Sequence, residues 1–216
     1  MSGQMENLYK VQKKDIPKAG VVLADAFQQD PIGKKVFRNE ASIEQRGTLF
    51  EAPIKYCLRY GEVYAPSEQL EGIALWVAGD FADLTLWRLI RSGAIISGMR
   101  AIRACTQPAR QGRVLGQLQA DRETHMKGRV YVYLMVLGVA TEFQGQGFGG
   151  KLLRALMEES EQVGIPIYVE TETERNASMY ERFGFRVLEQ ITLPNINLPL
   201  WKMVREPDSA AIVERR

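Results

Sequence analysis

The spacing of apolar residues predicts strands and helices that alternate along most of the chain. The strongest strand is expected at 129–139, which is rich in β-branched and aromatic residues. A nearly continuous apolar segment at 72–78 predicts a strand that is buried on both faces. Shorter apolar segments predict further strands at 8–12, 62–65, 165–170, 185–190 and 200–204. Together with the helices between them, this order predicts an α/β fold with a mixed sheet.

Two helices are predicted in the first third of the chain. The first is expected to begin with Asp15 as its N-cap and to end at Asp30-Pro31. The second, from Ser42 to Tyr60, begins with a Ser-x-x-Gln capping box. We expect Pro53 to kink or split this second helix, because proline removes a backbone hydrogen bond.

Two more helices are predicted near the carboxyl terminus. Residues 151–163 are amphipathic and end at Gly164. Residues 176–183 form a shorter helix, with Asn176 as its expected N-cap and Gly184 just beyond its end.

The segment 83–118 has helical apolar spacing that is interrupted by Gly93 and Gly98, and arginine recurs through it. A solvated basic helix face is the simpler interpretation. The alternatives are a lid over an active site or a surface that meets an anionic ligand.

Composition limits the classes of protein to which the chain can belong. At 216 residues we expect one domain, with loose tails at 1–7 and 206–216. A net charge of +2 gives no nucleic-acid signature, and a single histidine, His125, disfavours a histidine-based metal cluster. Cys57 and Cys105 form no Cys-x-x-Cys motif and fit a reducing compartment. Because no secretion signal or membrane-spanning segment is evident, we expect a soluble cytoplasmic protein.

A glycine-crowded segment, QGQGFGG at 144–150, separates the strongest strand from the helix at 151–163. Glycine tolerates positive φ and lets an anion approach the backbone closely. The unpaired amides at a helix N-terminus favour phosphate, and Lys151 and Arg154 add positive charge nearby. The segment therefore predicts a diphosphate-binding loop.

Two nucleotide-binding motifs resemble this loop incompletely. Gly145-x-Gly147-x-x-Gly150 matches the dinucleotide fingerprint, but a Rossmann sheet needs more βα units than the remaining chain provides. The segment also resembles a Walker A loop, except that Leu152 stands where a Ser or Thr must bind Mg²⁺. A nucleotide-dependent oxidoreductase therefore stays open only as a minor alternative.

A third pattern accounts for more of the chain. Gln144-x-x-Gly147-x-Gly149, which follows Leu137-Gly138-Val139, closely resembles the acetyl-CoA loop of the GNAT superfamily of N-acetyltransferases. The resemblance continues through Glu170-Thr171 and through Asn176-x-x-x-Tyr180-x-x-x-Gly184-Phe185. It covers 125–205 well and the first 120 residues only by element order. Within the superfamily, this half is most similar to the bacterial puromycin-acetyltransferase type.

The resemblance implies a fold and a reaction. The fold would be a single GNAT-like domain over 1–216, with a mostly antiparallel central sheet of six to seven strands, flanking helices and a helical insertion near 83–118. The reaction would be transfer of an acetyl group from acetyl-CoA to a primary amine of a small molecule, by direct attack in a ternary complex. The protein would need no metal, would bind neither nucleic acid nor membrane, and would be a monomer or homodimer.

The resemblance also implies which residues bind the cofactor and which catalyse the reaction. Backbone groups of 137–139 would pair with the pantetheine arm and polarise the thioester carbonyl. Tyr180 would be the general acid that protonates the thiolate, or else only a packed tyrosine. Glu170 would be the general base or else only a strand-end ion pair, while Glu172 and Glu174 are expected to be solvated and able to collect a cationic substrate. The full set of implied cofactor-binding residues is Leu137, Gly138, Val139, Gln144, Gly145, Gln146, Gly147, Phe148, Gly149, Gly150, Asn176 and Tyr180.

Two matters stay open from the sequence. The first half of the chain contains no motif that identifies the acceptor amine. A protein that keeps the CoA loop as a non-catalytic binding or regulatory module is the alternative to an enzyme.

Overall fold

The fold is built on a mixed sheet. The computed structural model describes residues 3–31, 34, 38, 40–101, 119–120, 122–193 and 197–208. Within these residues, seven strands form one sheet in the order β1-β2-β3-β4-β5-β7-β6. The strands are β1 (Tyr9–Lys10), β2 (Gly61–Ala65), β3 (Gly72–Ala78), β4 (Val132–Val139), β5 (Ile167–Thr171), β6 (Arg186–Leu193) and β7 (Leu198–Arg205).

Helices lie on both faces of this sheet. They are α1 (Ile16–Ala26), α2 (Ile43–Tyr60), α3 (Leu86–Ser92), α4 (Ala94–Ala101), α5 (Phe148–Val163) and α6 (Glu174–Arg182). Residues 119–120 and 122–126 are also helical. In the described part of the chain, no helix is long and apolar enough to cross a membrane.

The central pair of strands, β4 and β5, is the parallel pair of this otherwise antiparallel sheet. Their register covers only Val132 to Leu134 of β4, although β4 continues to Val139 beside β3. A register shift against β3 leaves Met135 as a bulged residue at the point where β5 separates. Since a bulge bends its strand, it accounts for the opening between the carboxyl ends of β4 and β5.

The core consists of two apolar layers on opposite faces of the sheet. Strand β3 contributes to both, because Ile73, Leu75 and Val77 pack under α1 and α2 while Ala74 and Trp76 pack under α5 and α6. This alternation follows from the two-residue period of a strand. It agrees with the prediction that 72–78 is buried on both faces, and the sheet confirms the predicted mixed, mostly antiparallel α/β fold.

The structure tests three details of the predicted helices. Asp15 occupies the N-cap position of α1 as predicted, but its carboxylate accepts from the Gln12 amide and the Tyr9 hydroxyl instead of capping the helix. Pro53 lies inside α2, which runs from Ile43 to Tyr60 and is therefore not split. Asn176 is not the N-cap of α6. Thr173 caps this helix, and the Asn176 amide donates to the Thr173 hydroxyl at 3.2 Å.

The helix boundaries near the glycines also differ from the sequence-based prediction. Helix α5 begins at Phe148 rather than at 151, so the last three residues of the glycine segment form its first turn. In the 83–118 segment, Gly93 separates α3 from α4 with a φ of +72°, whereas Gly98 lies inside α4. The remainder of that predicted segment, 102–118, lies outside the described residues.

Candidate active site

The glycine segment forms a tight loop at the N-terminus of α5. Gly145 and Gly147 have φ values of +79° and +88°, which a residue with a Cβ adopts only at a cost. The amides of Gln144 and Gln146 donate to backbone carbonyls of the preceding turn. The remaining amides of the segment, by contrast, donate to no described residue: Gly145, Gly147, Phe148, Gly149 and Gly150. The loop therefore presents unused donors at the positive end of a helix dipole.

The side chains around this loop partly redirect the predicted positive charge. Lys151 extends back to donate to the Pro66 carbonyl at 2.9 Å, and the exposed Arg154 lies over the Phe183 ring. A Cβ on Gly150 would stand 3.3 Å from the Phe183 ring and 3.2 Å from the Arg154 guanidinium, so this helix start is closely packed on one side. Anion binding at this position therefore depends chiefly on main-chain N–H groups.

The opening between β4 and β5 contains a cavity of about 260 Å³. The two strands line it where they separate, and residues of or next to α1, α2 and α6, from helices on both faces of the sheet, complete the lining. The backbone edge of 135–139 that faces this opening has no neighbouring strand among the described residues. The lining residues are Phe27, Asp30, Leu49, Phe50, Leu134, Met135, Val136, Leu137, Val169, Glu170, Thr171, Glu172, Asn176 and Tyr180.

Gly138 lets α1 lie close to this part of β4. A Cβ at Gly138 would stand 2.9 Å from a methyl group of Leu23 and 3.0 Å from the Phe27 ring. The neighbouring Leu137 side chain lines the cavity, and the Val139 carbonyl accepts from the Gln144 side-chain amide at 3.1 Å. The backbone of 137–139 is therefore fixed between a helix and the glycine loop.

Tyr180 places a buried phenol in the same cavity. The residue is 6% exposed and its ring packs on Phe185, with the ring centroids 5.2 Å apart. Its hydroxyl makes no hydrogen bond to a described residue. Burial, and secondarily the negative charge of Glu172, raises the pKa of Tyr180 well above its ordinary value of 10. The phenol therefore keeps its proton across the physiological pH range.

Glu170 lies against a buried set of donors on the other side of the cleft. Its side chain is 4% exposed. Oε2 accepts from the Tyr133 hydroxyl at 2.9 Å and from Nη1 of Arg122 at 3.4 Å, and Oε1 accepts from the Tyr168 hydroxyl at 3.1 Å. This arrangement matches the ion-pair interpretation of Glu170 more closely than that of a general base, because both oxygens are already engaged.

Arg122 is a residue that the sequence did not single out. It is 6% exposed, and its guanidinium lies 4.5 Å from the centre of the Tyr133 ring. It also donates to the Ala82 carbonyl at 3.2 Å and lies 3.7 Å from the Asp83 carboxylate. No short motif surrounds Arg122, so only the folded chain shows this contact.

Glu172 was expected to be solvated, but it is half-buried and lines the cavity. Burial is the largest cause that raises its pKa to about 8, and the negative charges of Asp30 and Glu170 add to this effect. The sequence did hold one signal. Residues two apart on a strand face the same side, and Glu172 directly follows the last residue of β5, so it could have been grouped with Glu170. Asp30, which also raises the pKa of Glu172, lies in a distant segment, and no local sequence pattern links the two residues.

Comparison with known proteins finds similarity to one superfamily. A model of the GNAT acetyltransferase domain matches residues 107–187. An uncharacterised N-acetyltransferase of Schizosaccharomyces pombe is 28% identical over 95% of this chain and 85% of its own length. These two matches support a GNAT superfamily acetyltransferase.

Solved structures agree with this GNAT fold. The crystal structure described as histone acetyltransferase HPA2 and related acetyltransferase from Corynebacterium glutamicum has a TM-score of 0.65 at 20% identity, covering 94% of this chain and 96% of its own. Arylalkylamine N-acetyltransferase 2 of Aedes aegypti has a TM-score of 0.63 at 13% identity, covering 93% of this chain and 98% of its own. The domain match and the curated relative support the predicted superfamily and an acetyltransferase, and these solved structures agree with the fold. The puromycin-acetyltransferase subtype stays a prediction.

The structure separates the predicted site residues into two groups. Leu137, Glu170, Asn176 and Tyr180 line the cavity between β4 and β5, and Glu170 is also held by Arg122 and two tyrosines. Gly138, Val139 and the glycine loop follow along the chain at the carboxyl end of β4 and the start of α5. Among the described residues, no group of three or more His, Cys, Asp or Glu side chains could hold a metal ion.

Proposed function

We propose that this protein transfers the acetyl group of acetyl-CoA to the primary amine of a small molecule, by direct attack in a ternary complex. One observation supports this proposal above the others. The unpaired edge of β4 and the Tyr180 phenol lie at one opening in the sheet, and the unused loop amides follow the carboxyl end of β4 along the chain. The loop amides suit a diphosphate, the edge of β4 suits an extended arm that contains amides, and the phenol suits a reacting thioester.

The residues present fit coenzyme A in their chemistry. Amides of 144–150, above all those of Gly145, Gly147 and the first turn of α5, would hold the diphosphate, since they lack other acceptors. Leu137, Gly138 and Val139 would pair with the pantetheine arm as a neighbouring strand does, and Asn176 and Tyr180 would border its far end. The bound thioester supplies an activated acyl group.

An amide of 137–139 would stabilise the negative charge that develops on the carbonyl oxygen. An oxyanion donor of this kind contributes roughly 3–4 kcal/mol. Tyr180 would donate its proton to the departing sulfur. Its raised pKa ensures that the proton is present at neutral pH, and the packing of its ring on Phe185 holds it at the cavity.

The size of the cavity supports a small acceptor. A volume of about 260 Å³ can hold the amine-bearing end of a small molecule. We further propose that 1–216 acts as one domain, that 125–205 is its cofactor-binding half, and that the acceptor lies against the first half of the chain. The apolar side chains of Phe27, Leu49 and Phe50 at the cavity support this arrangement.

Two measurements test the proposal. Calorimetric titration with acetyl-CoA should show saturable binding, and a panel of primary amines should cause release of free thiol above the rate of thioester hydrolysis. Absence of binding at millimolar acetyl-CoA would refute the proposal. Binding without thiol release for any amine would support the non-catalytic module instead.

A further inference from the structure

The cavity combines an apolar wall with an acidic one. Phe27 and Phe50 stack with their ring centroids 5.6 Å apart, and Leu49 lies beside them in the lining. Asp30, just after α1, and Glu172, just after β5, bring carboxylates to the same cavity from two different parts of the chain. Such a cavity matches a ligand that has an apolar body and a positive charge at one end.

Glu172 differs from the other carboxylates of this region in its partners. Glu170 lies beside Arg122, and Glu189 accepts from Lys202 and lies beside His125. Within the described residues, no Lys or Arg forms an ion pair with Glu172. Placing a half-buried carboxylate without a cation next to the charge of Asp30 is unfavourable unless a cation binds there.

The Tyr180 hydroxyl provides a second and independent indication of a ligand. The residue is 6% exposed, its hydroxyl lacks a hydrogen-bond partner in the described part of the chain, and it lines the same cavity. It lies near enough to Glu172 for that charge to act on it. A phenol at the cavity without a partner among the described residues, beside a carboxylate without a cation, leaves two polar groups available to a ligand, which indicates that a polar ligand group completes the site.

We propose that this cavity is the acceptor subsite for an amine with a single positive charge on an apolar body, and that Glu172 binds its ammonium group and accepts its proton. The inference rests on the proposed function. It assigns to Glu172 the role that the sequence predicts for Glu170, which leaves Glu170 to hold Arg122 and the two tyrosines.

The protons balance in this scheme. The Glu172 carboxylate takes one proton from the ammonium and later releases it to water, which leaves a neutral amine with a free electron pair. As the C–N bond forms and the C–S bond breaks, Tyr180 gives its proton to the sulfur. The nitrogen then loses a second proton, which restores the phenol.

The charges around Glu172 favour this transfer. The titratable groups that face it are Asp30, Glu170, Tyr133 and Tyr180. The two carboxylates among these groups, together with burial, raise the pKa of Glu172 to about 8, closer to that of an alkylammonium ion than an ordinary Glu would be. The same negative charges should repel a ligand that carries a carboxylate beside its amine.

Phenethylamine and phenylalanine form a matched pair of acceptors, because they differ only by a carboxylate. We expect kcat/KM for phenethylamine to exceed that for phenylalanine by about tenfold or more. We also expect kcat/KM for phenethylamine to rise with pH as Glu172 ionises, with the midpoint of this rise near pH 8. Glu172→Gln should lower kcat/KM about 100-fold, abolish this rise and leave acetyl-CoA affinity unchanged.

Two further variants complete the experiment. Asp30→Asn should reduce the preference for phenethylamine over phenylalanine, and Glu181→Gln, a matched change at an exposed position of α6, should alter neither the preference nor the pH profile. Equal rates with both acceptors, or an unchanged pH profile in Glu172→Gln, would overturn the inference while acetylation itself continued. Failure of every amine would instead refute the proposed function.

Discussion

The Tyr133 hydroxyl and the Arg122 guanidinium both donate to Oε2 of Glu170, at 2.9 and 3.4 Å. The guanidinium also lies over the Tyr133 ring, so the three side chains hold one another in place. This contact ties β4, β5 and the helical segment at 122–126 together directly beneath the cavity. Glu170 therefore stabilises the shape of the site.

The first prediction concerns the stability that Glu170 provides. Glu170→Gln should lower the free energy of unfolding by about 3 kcal/mol, because it leaves Arg122 buried without its carboxylate. Urea unfolding at pH 7 measures this loss. Glu206→Gln is the control, since it breaks an exposed 2.6 Å pair with Arg129 and should cost less than about 1 kcal/mol. A stable but inactive Glu170→Gln protein would restore Glu170 as the general base.

The second prediction concerns the glycine loop. Gly147→Ala should weaken acetyl-CoA binding about tenfold or more, because the φ of +88° that aims the loop amides becomes strained. Gly128→Ala is a matched control, with a φ of +71° and open space around a Cβ, as at Gly147. Both variants should lose about 1 kcal/mol of stability. Equal acetyl-CoA affinity in the two proteins, measured by calorimetry, would contradict a diphosphate site at the loop.

The sequence could predict those parts of the molecule whose determinants are local. The capping box at Ser42, the alternating burial of 72–78 and the glycine segment are each specified within a few neighbouring residues. The error at Asn176 arose because Thr173, three residues earlier, can also serve as an N-cap, and the backbone places Thr173 at the start of α6. At Asp15 the predicted position is correct, but the carboxylate accepts from residues that precede the helix.

The site itself depends on contacts between distant segments. Arg122 lies 48 residues from Glu170 in the chain, and nothing in either local sequence indicates that they pair. Asp30 and Glu172 meet at the cavity only because β4 and β5 separate under α1. Spacing rules could therefore identify a loop and a phenol, but not the charges that surround them.

The third prediction separates the chemistry of Tyr180 from its packing. Tyr180→Phe should reduce kcat by about 100-fold and leave acetyl-CoA affinity and stability nearly unchanged, because the hydroxyl bonds to no described residue. Tyr56→Phe should behave in the opposite way. Its buried hydroxyl donates to the Phe81 carbonyl at 2.8 Å, so its loss should cost about 1 kcal/mol of stability without slowing turnover. Full activity in Tyr180→Phe would assign the proton donor elsewhere.

The last prediction concerns the dependence of stability on pH. Glu172 titrates near 4.5 in the unfolded chain and near 8 in the folded protein. Between these values the folded state binds more protons, so the contribution of Glu172 to stability is fully present below pH 4.5 and is lost as the pH rises through 8. Glu172→Gln carries no such penalty.

This variant should therefore be more stable than the parent protein at pH 8.5 by more than about 1 kcal/mol, and the difference should shrink toward pH 4.5. Urea unfolding across this range measures the effect, with Glu181→Gln expected to show no such gain. Parallel curves for the parent and Glu172→Gln would mean that Glu172 ionises alike in both states. If Glu172→Gln gains stability and loses turnover, then Glu172 is required for activity although it lowers the free energy of unfolding.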